Sequence, residues 1–210
     1  MTGPVTDMPI IILAAGQSTR MRGLDKLIQM VEGKPLIRRQ ADLARAVTTG
    51  PVIVALPDGP HPRRDALRGA GVTPLPVPDA AEGMNASLRR AFTALPDGAA
   101  AAMLLLADLP DLTENDLKTV LQAHDRKPEY PVIRGATEDG KPGHPVIFSA
   151  ALFDRFAQLT GDSGGGEVMA AARGRIRLVP LPGTRARRDL DTPEDWAQWR
   201  ADRANKPGGA

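Results

Sequence analysis

Cysteine is absent from this chain of 210 residues, which excludes disulfides, thiolate metal sites and cysteine nucleophiles. Long apolar runs are absent as well, since no stretch approaches the roughly 20 apolar residues of a membrane-spanning helix. Residues 1–9 lack the basic region of a signal peptide. Neither sign of charge dominates, because 27 Lys and Arg stand against 25 Asp and Glu, whereas a nucleic-acid binder carries a dense basic surface. We therefore expect a cytoplasmic protein with no membrane or nucleic-acid partner.

A short apolar run near the start of the chain leads into a loop of small and cationic residues. Residues 10–13 predict a buried parallel strand, and Gly16 allows a backbone to approach a ligand closely. Ser18, Arg20 and Lys26 then supply hydrogen-bond donors and positive charge. This combination is typical of a phosphate site, although neither a Walker loop nor G-x-G-x-x-G is present. An ordinary strand-to-helix turn with solvated cations is the alternative interpretation.

A carboxylate follows the most apolar segment of the chain. Residues 99–107 predict a buried strand that leads directly into Asp108. Open α/β sheets bind ligands beyond the carboxyl ends of their strands, and Mg²⁺ prefers hard oxygen ligands together with the phosphates of its substrate. The residues alone leave two roles open for Asp108, as a magnesium ligand or as a cap of the next turn.

Three other segments also have two interpretations each. Asn85 or Ser87 is predicted to cap the helix that follows, although the free N–H groups of a helix start also bind anions or bases. His144 precedes a proline in a predicted strand, where it is either a hydrogen-bonded structural residue or an acid or base. Residues 161–167 are rich in glycine and predict a flexible linker, which is not by itself a binding site.

Apolar patterns fill the rest of the chain with alternating strands and helices. The prolines within residues 72–77 fit an edge strand, and Thr192 with Pro193 forms a helix start. Further strands are predicted at residues 51–56, 131–134, 143–148 and 175–181, and helices at residues 35–47, 61–70, 113–124, 151–159 and from 193 onward. The pattern indicates one α/β domain over residues 9–202, between flexible termini at residues 1–8 and 203–210.

The loop after the first predicted strand resembles the signature of a known family. Leu13-Ala14-Ala15-Gly16-x-Ser18-x-Arg20-Met21, followed by Lys26, is similar to the motif of the MobA-like nucleotidyltransferases, which include enzymes that attach a nucleotide to molybdopterin. Other segments match in the family's order, namely Gly83-Met84-x-x-Ser87-Leu88, Asp108-x-Pro110, Gly143-x-Pro145-x-x-Phe148 and Asp189-x-Asp191-Thr192-Pro193-Glu194-Asp195. The resemblance implies a three-layer α/β/α, Rossmann-like domain with a mixed, mainly parallel sheet.

The resemblance also implies roles for individual residues. Arg20 and Lys26 would neutralise the triphosphate and the leaving pyrophosphate. Asp108 and Asp191 would hold Mg²⁺, with Asp189 as the weaker alternative to Asp191. The nucleotide would be bound by Leu13, Ala14, Ala15, Gly16, Ser18, Gly83, Met84, Asn85 and Ser87, to which Asp79 is added for its place ahead of Gly83.

On the acceptor side the resemblance assigns His144 and Asp162. His144 would position the acceptor, because an anionic phosphate oxygen attacks without a protein base. Relatives tend to carry an arginine where this chain has Gly166, so the chain must hold the acceptor phosphate differently or accept another group. A second departure is Arg22, which precedes Gly23 where the family reads Arg-Met-Gly, so that the loop is one residue longer.

The choice of nucleotide follows from the small residues of the loop. Ala14-Ala15-Gly16 resembles the cytidylyl branch, whereas the guanylyl branch tends to read Ala-Gly-Gly. We therefore expect CTP as the nucleotide and molybdopterin or its molybdenum form as the acceptor, with a molybdoenzyme or its maturation factor as a protein partner. The alternatives are a transferase for a sugar or alditol phosphate, a GTP-dependent molybdopterin guanylyltransferase, and a non-catalytic molybdopterin carrier. Lys26 and Asp108 disfavour the carrier, because carriage needs no metal ligand.

Overall fold

The computed structural model describes residues 6–127, 129–161 and 164–205, so Asp162 lies outside the described residues. Its strands are β1 (Ile10–Leu13), β2 (Met30–Val31), β3 (Lys34–Pro35), β4 (Val52–Pro57), β5 (Thr73–Val77), β6 (Ala101–Leu106), β7 (Val132–Ala136), β8 (Pro142–Ser149) and β9 (Ile176–Pro180). Its α-helices are α1 (Leu36–Val47), α2 (Pro62–Ala66), α3 (Met84–Thr93), α4 (Glu114–Arg126), α5 (Phe153–Ala157), α6 (Gly166–Ala171) and α7 (Pro193–Ala204).

Seven of these strands form one sheet in the order β5-β4-β1-β6-β8-β7-β9, and β2 pairs with β3 in a small hairpin. Neighbours in the large sheet are parallel except at β8, which runs antiparallel to both β6 and β7. The predicted mixed, mainly parallel sheet is therefore confirmed. β5 lies at one edge, as its prolines predict. Proline has no backbone N–H to donate to a neighbouring strand, and an edge strand has a neighbour on one side only.

Successive side chains of the central strands pack on opposite faces of the sheet. On one face, Ile10 and Ile12 join a core formed with α1, α4 and α7. On the other face, Ile11 joins a smaller core formed with α3, α5 and α6. In that core the rings of Phe92 and Phe156 stack with their centroids 3.5 Å apart. Both faces are thus covered by helices, which gives the three layers that the sequence predicts.

Side-chain caps fix two helix starts that the sequence predicts. Thr113 begins α4 and Thr192 begins α7, each in a complete capping box. The start of α3 corrects a prediction, because neither Asn85 nor Ser87 caps it. The helix instead follows Gly83, whose φ of 108° favours glycine, and its first turn has no side-chain cap.

Packing extends beyond the predicted domain limits at both ends of the described chain. Thr6 pairs with Thr48 ahead of β1, and Met8 is buried, although residues 1–8 are predicted to be flexible. At the other end α7 continues to Ala204, within the predicted terminal segment 203–210. Among the described residues, no helix combines the length and the apolar character that crossing a bilayer requires.

The strand directions gather the functional loops at one edge of the sheet, which we call the carboxyl edge. β1, β4, β5, β6, β7 and β9 all end there, since they share one direction. β8 runs in the opposite direction and therefore begins there, with residues 142–144. Sheets of this kind bind ligands beyond that edge.

Candidate active site

Two adjoining cavities open at the carboxyl edge. The first, of about 600 Å³, lies among the loops that follow β1, β4 and β5. The second, of about 370 Å³, lies between the loop after β1, the start of α3 and the end of β6. They share residues and form one depression, lined in common by Ala15, Gly16, Gln17, Ala80 and Ala81. The second cavity brings together most of the residues predicted to contact the nucleotide and its phosphates, namely Leu13, Ala14, Ala15, Gly16, Lys26, Gly83, Met84, Ser87 and Asp108.

A buried arginine braces the loop after β1. The Arg63 side chain is 2% exposed, and it donates to both carboxylate oxygens of Asp25, at 2.7 and 2.8 Å. Its Nη1 donates to the carbonyl oxygens of Ala14 at 2.7 Å and Gly16 at 2.6 Å. Its Nη2 also donates to Ser18 Oγ at 2.9 Å. The planar guanidinium therefore fixes the backbone of the loop through several donors at once.

Asp25 connects this brace to Lys26. Its carboxylate accepts the backbone N–H of Leu27 at 2.9 Å and so caps the turn that carries Lys26. Burial by itself raises the pKa of the Asp25 carboxyl, but the hydrogen bonds and the charge of Arg63 outweigh burial and hold that pKa below its ordinary value. Ser18, at φ 53°, accepts the backbone N–H of Lys26 at 3.4 Å. The loop and Lys26 thus belong to one ionic network.

Arg63 was not predicted as a site residue from the sequence, in which residues 61–70 were assigned to a helix. Arg63 and Arg64 are neighbours on the short α2, and their residue type does not reveal which of them turns inward. The position of α2 soon after β4 is an available signal, because β4 ends beside β1 at the carboxyl edge.

Replacing Arg63 with methionine is expected to lower the free energy of unfolding by about 3 kcal/mol, because Asp25 would keep a partly buried charge without its partner. The affinity for a nucleoside triphosphate should fall as well, since the loop loses its brace. Urea unfolding and calorimetric nucleotide titration measure the two effects. Arg68→Met is the matched control, because the Arg68 side chain is 82% exposed. Equal unfolding free energies for the two variants would refute the role of Arg63 as a brace.

A cluster of carboxylates adjoins the second cavity, whose lining includes Asp108. Asp108, Asp189 and Asp191 each offer an oxygen, and these oxygens all lie within 4.8 Å of one another. Lys26 Nζ donates to Asp108 Oδ2 and to Asp191 Oδ1, both at 2.6 Å. Arg20 pairs with the second oxygen of Asp191 at 2.7 Å. The structure therefore brings together four residues that the sequence analysis assigned separately to charge neutralisation and metal binding, and it adds Asp189 to them.

Opposite charges hold this cluster together. Burial by itself lowers the pKa of the Lys26 ammonium, but Asp108 and Asp191 outweigh burial and raise that pKa above its ordinary value. Burial likewise opposes ionisation of Asp191, yet Lys26 and Arg20 hold its pKa below the ordinary value. The pKa of Asp189 is raised, first by burial and then by the negative charges of Asp191 and Asp108. The cluster therefore brings three carboxyl groups together with two cations.

The donor set fits a divalent cation. Asp108 Oδ1 is buried and has no hydrogen-bond partner among the residues that the structure describes. A buried carboxylate oxygen without a partner is costly, and a hard cation would satisfy it. Carboxylate oxygens are also the ligands that Mg²⁺ and Mn²⁺ prefer. Asp108, Asp191 and Asp189 are therefore the residues that could hold such an ion.

His144 lies near this cluster at the start of β8. Its backbone N–H donates to the carbonyl of Ala186 at 2.8 Å, and its Nδ1 is buried without a hydrogen-bond partner in the described part of the chain. Burial, reinforced by the charge of Arg134, lowers the pKa of His144 from 6.5 to about 4. The imidazole is therefore neutral at neutral pH.

The lowered pKa of His144 makes the stability of the fold depend on pH. Because the folded state favours the neutral imidazole, its contribution is complete above pH 6.5 and is lost as the pH falls from 6.5 toward 4. We expect this residue to lower the free energy of unfolding by about 2 kcal/mol at pH 5 relative to pH 8. Urea unfolding at both pH values measures the difference, which His144→Gln should abolish. The same difference in both proteins would assign it to other groups.

Two residues assigned to the nucleotide lie outside both cavities. Asp79 pairs with Arg90 beside a separate surface depression. Asn85 is fully buried; its amide donates to the carbonyl of Thr160 at 2.7 Å and accepts the backbone N–H of Gly165 at 3.1 Å. Asn85 therefore ties the start of α3 to the segment before α6. The sequence could not reveal either arrangement. Thr160 and Gly165 are remote from Asn85 in the chain, and the residue type of Arg90 does not reveal its partner.

The additional residue of the loop after β1 is absorbed in a turn. Arg22 adopts φ 54°, and its exposed guanidinium pairs with Glu194 of α7 at 2.8 Å. Arg22 lines neither cavity. Gly166 begins α6 and has no side chain that could reach an acceptor.

Comparison with known proteins gives consistent matches. A family model described as the MobA-like NTP transferase domain matches residues 10–176. The bifunctional protein GlmU of Azoarcus sp. (strain BH72) is 30% identical over 178 residues, which are 82% of this chain and 33% of that protein. GlmU of Pelobacter propionicus is 30% identical over 115 residues, which are 54% of this chain and 25% of that protein. The chain thus spans about a quarter to a third of the length of these curated relatives.

A solved structure matches over nearly the whole chain. Rv0371c from Mycobacterium tuberculosis H37Rv is 27% identical, with a TM-score of 0.76 over 93% of this chain and 98% of its own. Rv0371c in complex with manganese is 26% identical, with a TM-score of 0.73 over 92% of this chain and 97% of its own. A structure similar to this chain has thus been solved in complex with a divalent metal, manganese.

Proposed function

The chain belongs to the MobA-like NTP transferase family, and we propose that it transfers a cytidylyl group from CTP to molybdopterin or its molybdenum form. An oxygen of the acceptor phosphate forms a bond to the α-phosphorus of CTP. The bond from that phosphorus to the oxygen bridging the α- and β-phosphates breaks, and its electron pair leaves with pyrophosphate. No proton moves in this step, because the attacking oxygen is already an anion. We place the reaction in the cytoplasm.

One observation carries this proposal. Lys26 bridges Asp108 and Asp191 at 2.6 Å each, and Lys26 and Asp108 line the same cavity as residues 13–17 of the loop after β1. A site for a triphosphate needs positive charge and close backbone approach, and a site for a divalent cation needs carboxylates. This arrangement supplies both within one depression, as phosphoryl-type transfer requires.

The residues of the chain act chiefly by positioning and by charge. The loop at residues 13–16 and the start of α3 at residues 83–87 would bind the base and sugar. Lys26 and Arg20 would turn from the carboxylates toward the phosphates and neutralise the leaving pyrophosphate. Arg63 keeps the loop rigid throughout, so its effect is exerted through the loop. His144, as a neutral imidazole, would position the acceptor without moving a proton.

A divalent cation, with magnesium as the proposed ion, would be held by Asp108 and Asp191, with Asp189 as a third oxygen donor. When bound, it would neutralise charge on the phosphate oxygens as a Lewis acid. The unpartnered Asp108 Oδ1 supports this role of the carboxylates.

The proposed choice of nucleotide and of acceptor depends on sequence features. Ala14-Ala15-Gly16 and Gly83-Met84-x-x-Ser87-Leu88 resemble the cytidylyl branch and support CTP over GTP. The product would then be the cytosine dinucleotide form of the cofactor, which a molybdoenzyme or its maturation factor would receive. Gly166, in place of an arginine, favours a sugar or alditol phosphate as the second candidate acceptor.

The test is binding of CTP, GTP, ATP and UTP to the full chain with Mg²⁺, by calorimetry, followed by pyrophosphate release with molybdopterin as acceptor. We expect the chain to bind CTP selectively. We also expect it to release pyrophosphate only when molybdopterin is present. Selective binding of another nucleotide would overturn the choice of CTP. Pyrophosphate release with an alditol phosphate instead of molybdopterin would overturn the acceptor.

A further inference from the structure

A partly buried arginine lies near the second cavity without an acidic partner. Arg134 is on β7, and its Nε donates to the carbonyl of Gly143 at 3.0 Å, which fixes the direction of the guanidinium. Within residues 6–127, 129–161 and 164–205, no carboxylate lies at ion-pair distance from Arg134, and its Nη1 and Nη2 make no hydrogen bond. Two parallel donors are therefore available in a fixed orientation, the arrangement that binds a phosphate in a bidentate manner.

The register of the sheet places Arg134 beside the reaction site. Arg134 is paired with Val146 of β8, so these two side chains share one face of the sheet. The hydrogen bond from Arg134 Nε to the carbonyl of Gly143 brings the guanidinium next to the backbone of His144, within the segment where the register shifts. Val146 is in turn paired with Leu104 of β6, and Leu106, two residues further, lines the second cavity. Arg134, Val146 and Leu104 thus lie side by side on three neighbouring strands, with Leu106 two residues nearer the carboxyl edge than Leu104.

The charges nearby point to an anionic ligand. Burial and the positive charge of Arg187 both lower the pKa of the Arg134 guanidinium. The charges of both Arg134 and Asp108 act on His144, Arg134 lowering and Asp108 raising its pKa, so His144 lies close enough to both to feel their charges. A desolvated cation that faces a second cation is unfavourable until an anion joins the two.

We propose that Arg134 and Arg187 bind the phosphate of the acceptor next to His144. They would take the role of the arginine that relatives tend to carry where this chain has Gly166. This inference rests on the proposed function, because it places the acceptor phosphate next to the cavity that would hold the nucleotide. Leu178, paired with Arg134 on β9 and 40% exposed, offers an apolar contact to the rest of the acceptor. The substrate class is therefore a phosphate monoester with an apolar or ring-containing body.

The experiment titrates inorganic phosphate into the full chain and follows the arginine Nε–Hε signals and the backbone amides by NMR. We expect phosphate to shift the Arg134 side-chain signal and the amides of His144 and Arg187. Arg134→Gln should weaken phosphate binding by about tenfold or more, and Arg134→Lys should restore part of it, because charge is regained without the planar fork. Arg187→Gln should weaken binding by a smaller factor, since this residue is exposed.

Arg177→Gln is the matched control, because Arg177 precedes Leu178 on β9 and faces the other side of the sheet. Its phosphate affinity should equal that of the wild type. A phosphate affinity of Arg134→Gln within twofold of the wild type would overturn the proposal. Binding that is lost in Lys26→Met but kept in Arg134→Gln would overturn it too, because phosphate would then occupy the triphosphate site. Thermal melting verifies that each variant is folded. If Arg134→Gln does not fold, Arg134→Lys is used in its place.

CTP titration of the same variants separates this inference from the proposed function. If the wild type binds phosphate through Arg134 but does not bind CTP, the anion site stands and the proposed function fails. If CTP binds equally to the wild type and Arg134→Gln while phosphate affinity is unchanged, the proposed function stands and the anion site fails.

Discussion

Asp108→Asn is expected to reduce the rate of pyrophosphate release by about 10³-fold, because it removes one negative charge where the metal and the phosphates would meet. Asparagine keeps the size of the side chain, but it places an amide donor where Lys26 or a cation needs an acceptor. The Asp108 side chain is 17% exposed, so water compensates poorly for the loss. Steady-state pyrophosphate release, together with Mn²⁺ binding followed by electron paramagnetic resonance, measures both consequences.

The control for Asp108→Asn is Asp125→Asn, since the Asp125 side chain is 68% exposed and lies on α4, away from both cavities. Its rate and its Mn²⁺ affinity should match those of the wild type. A rate for Asp108→Asn within tenfold of the wild type would show that this carboxylate does not serve the reaction. Loss of pyrophosphate release with unchanged Mn²⁺ affinity would remove Asp108 from the metal ligands.

Lys26→Met is expected to change two affinities in opposite directions. Without nucleotide, Lys26 occupies the oxygens of Asp108 and Asp191 that a metal ion would bind. Removing the ammonium should therefore raise the affinity for Mn²⁺ alone, by about tenfold, because the metal no longer displaces a competing cation. The affinity for CTP should fall by about tenfold or more, and pyrophosphate release by about 10³-fold, because the phosphates lose a charge-assisted donor.

The expected rise in Mn²⁺ affinity and fall in CTP affinity distinguish the loss of the ammonium from misfolding, because a misfolded variant would lose both affinities. Electron paramagnetic resonance gives the affinity for Mn²⁺, and calorimetry gives the affinity for CTP. Lys34→Met is the comparison, because Lys34 also pairs with an aspartate at 2.6 Å but is 59% exposed and remote from the cluster. A fall in Mn²⁺ affinity for Lys26→Met would mean that the lysine orders the carboxylates for the metal instead of competing with it.

Most of the sheet could be predicted because its signals are local. The apolar segments at residues 10–13, 51–56 and 99–107 are buried strands, and prolines place residues 72–77 at an edge. The position of Asp108 followed from the same pattern, because a residue after a parallel strand lies at the carboxyl edge. Local signals failed at α3, where the φ of Gly83 replaces a side-chain cap.

The site could be predicted only where its residues follow strands. Asp189 lies beside Asp108 because the backbone N–H of Leu190 donates to the carbonyl of Asp108 at 3.3 Å. These segments are about 80 residues apart, and local sequence patterns do not predict such a contact. Arg63 was missed for the same reason, since its partners lie in the loop after β1. Asp79 was assigned to the nucleotide by its position alone, and in the structure it pairs with Arg90 and lines neither of the two cavities.

The reversal of direction at β8 divides the sheet into two parts, both of which contribute to the candidate site. Residues after β1, β4, β5 and β6 line the two cavities, whereas His144, Arg134 and Arg187 come from β8, β7 and the segment after β9. The two parts meet along the single β6–β8 seam. Under the proposed function, substitutions of Arg134 or His144 would therefore alter the choice of acceptor, whereas substitutions of Asp189 or Asp191 in the same part of the sheet would also disturb the carboxylate cluster. The two substrates would thus meet where both parts of the sheet supply side chains.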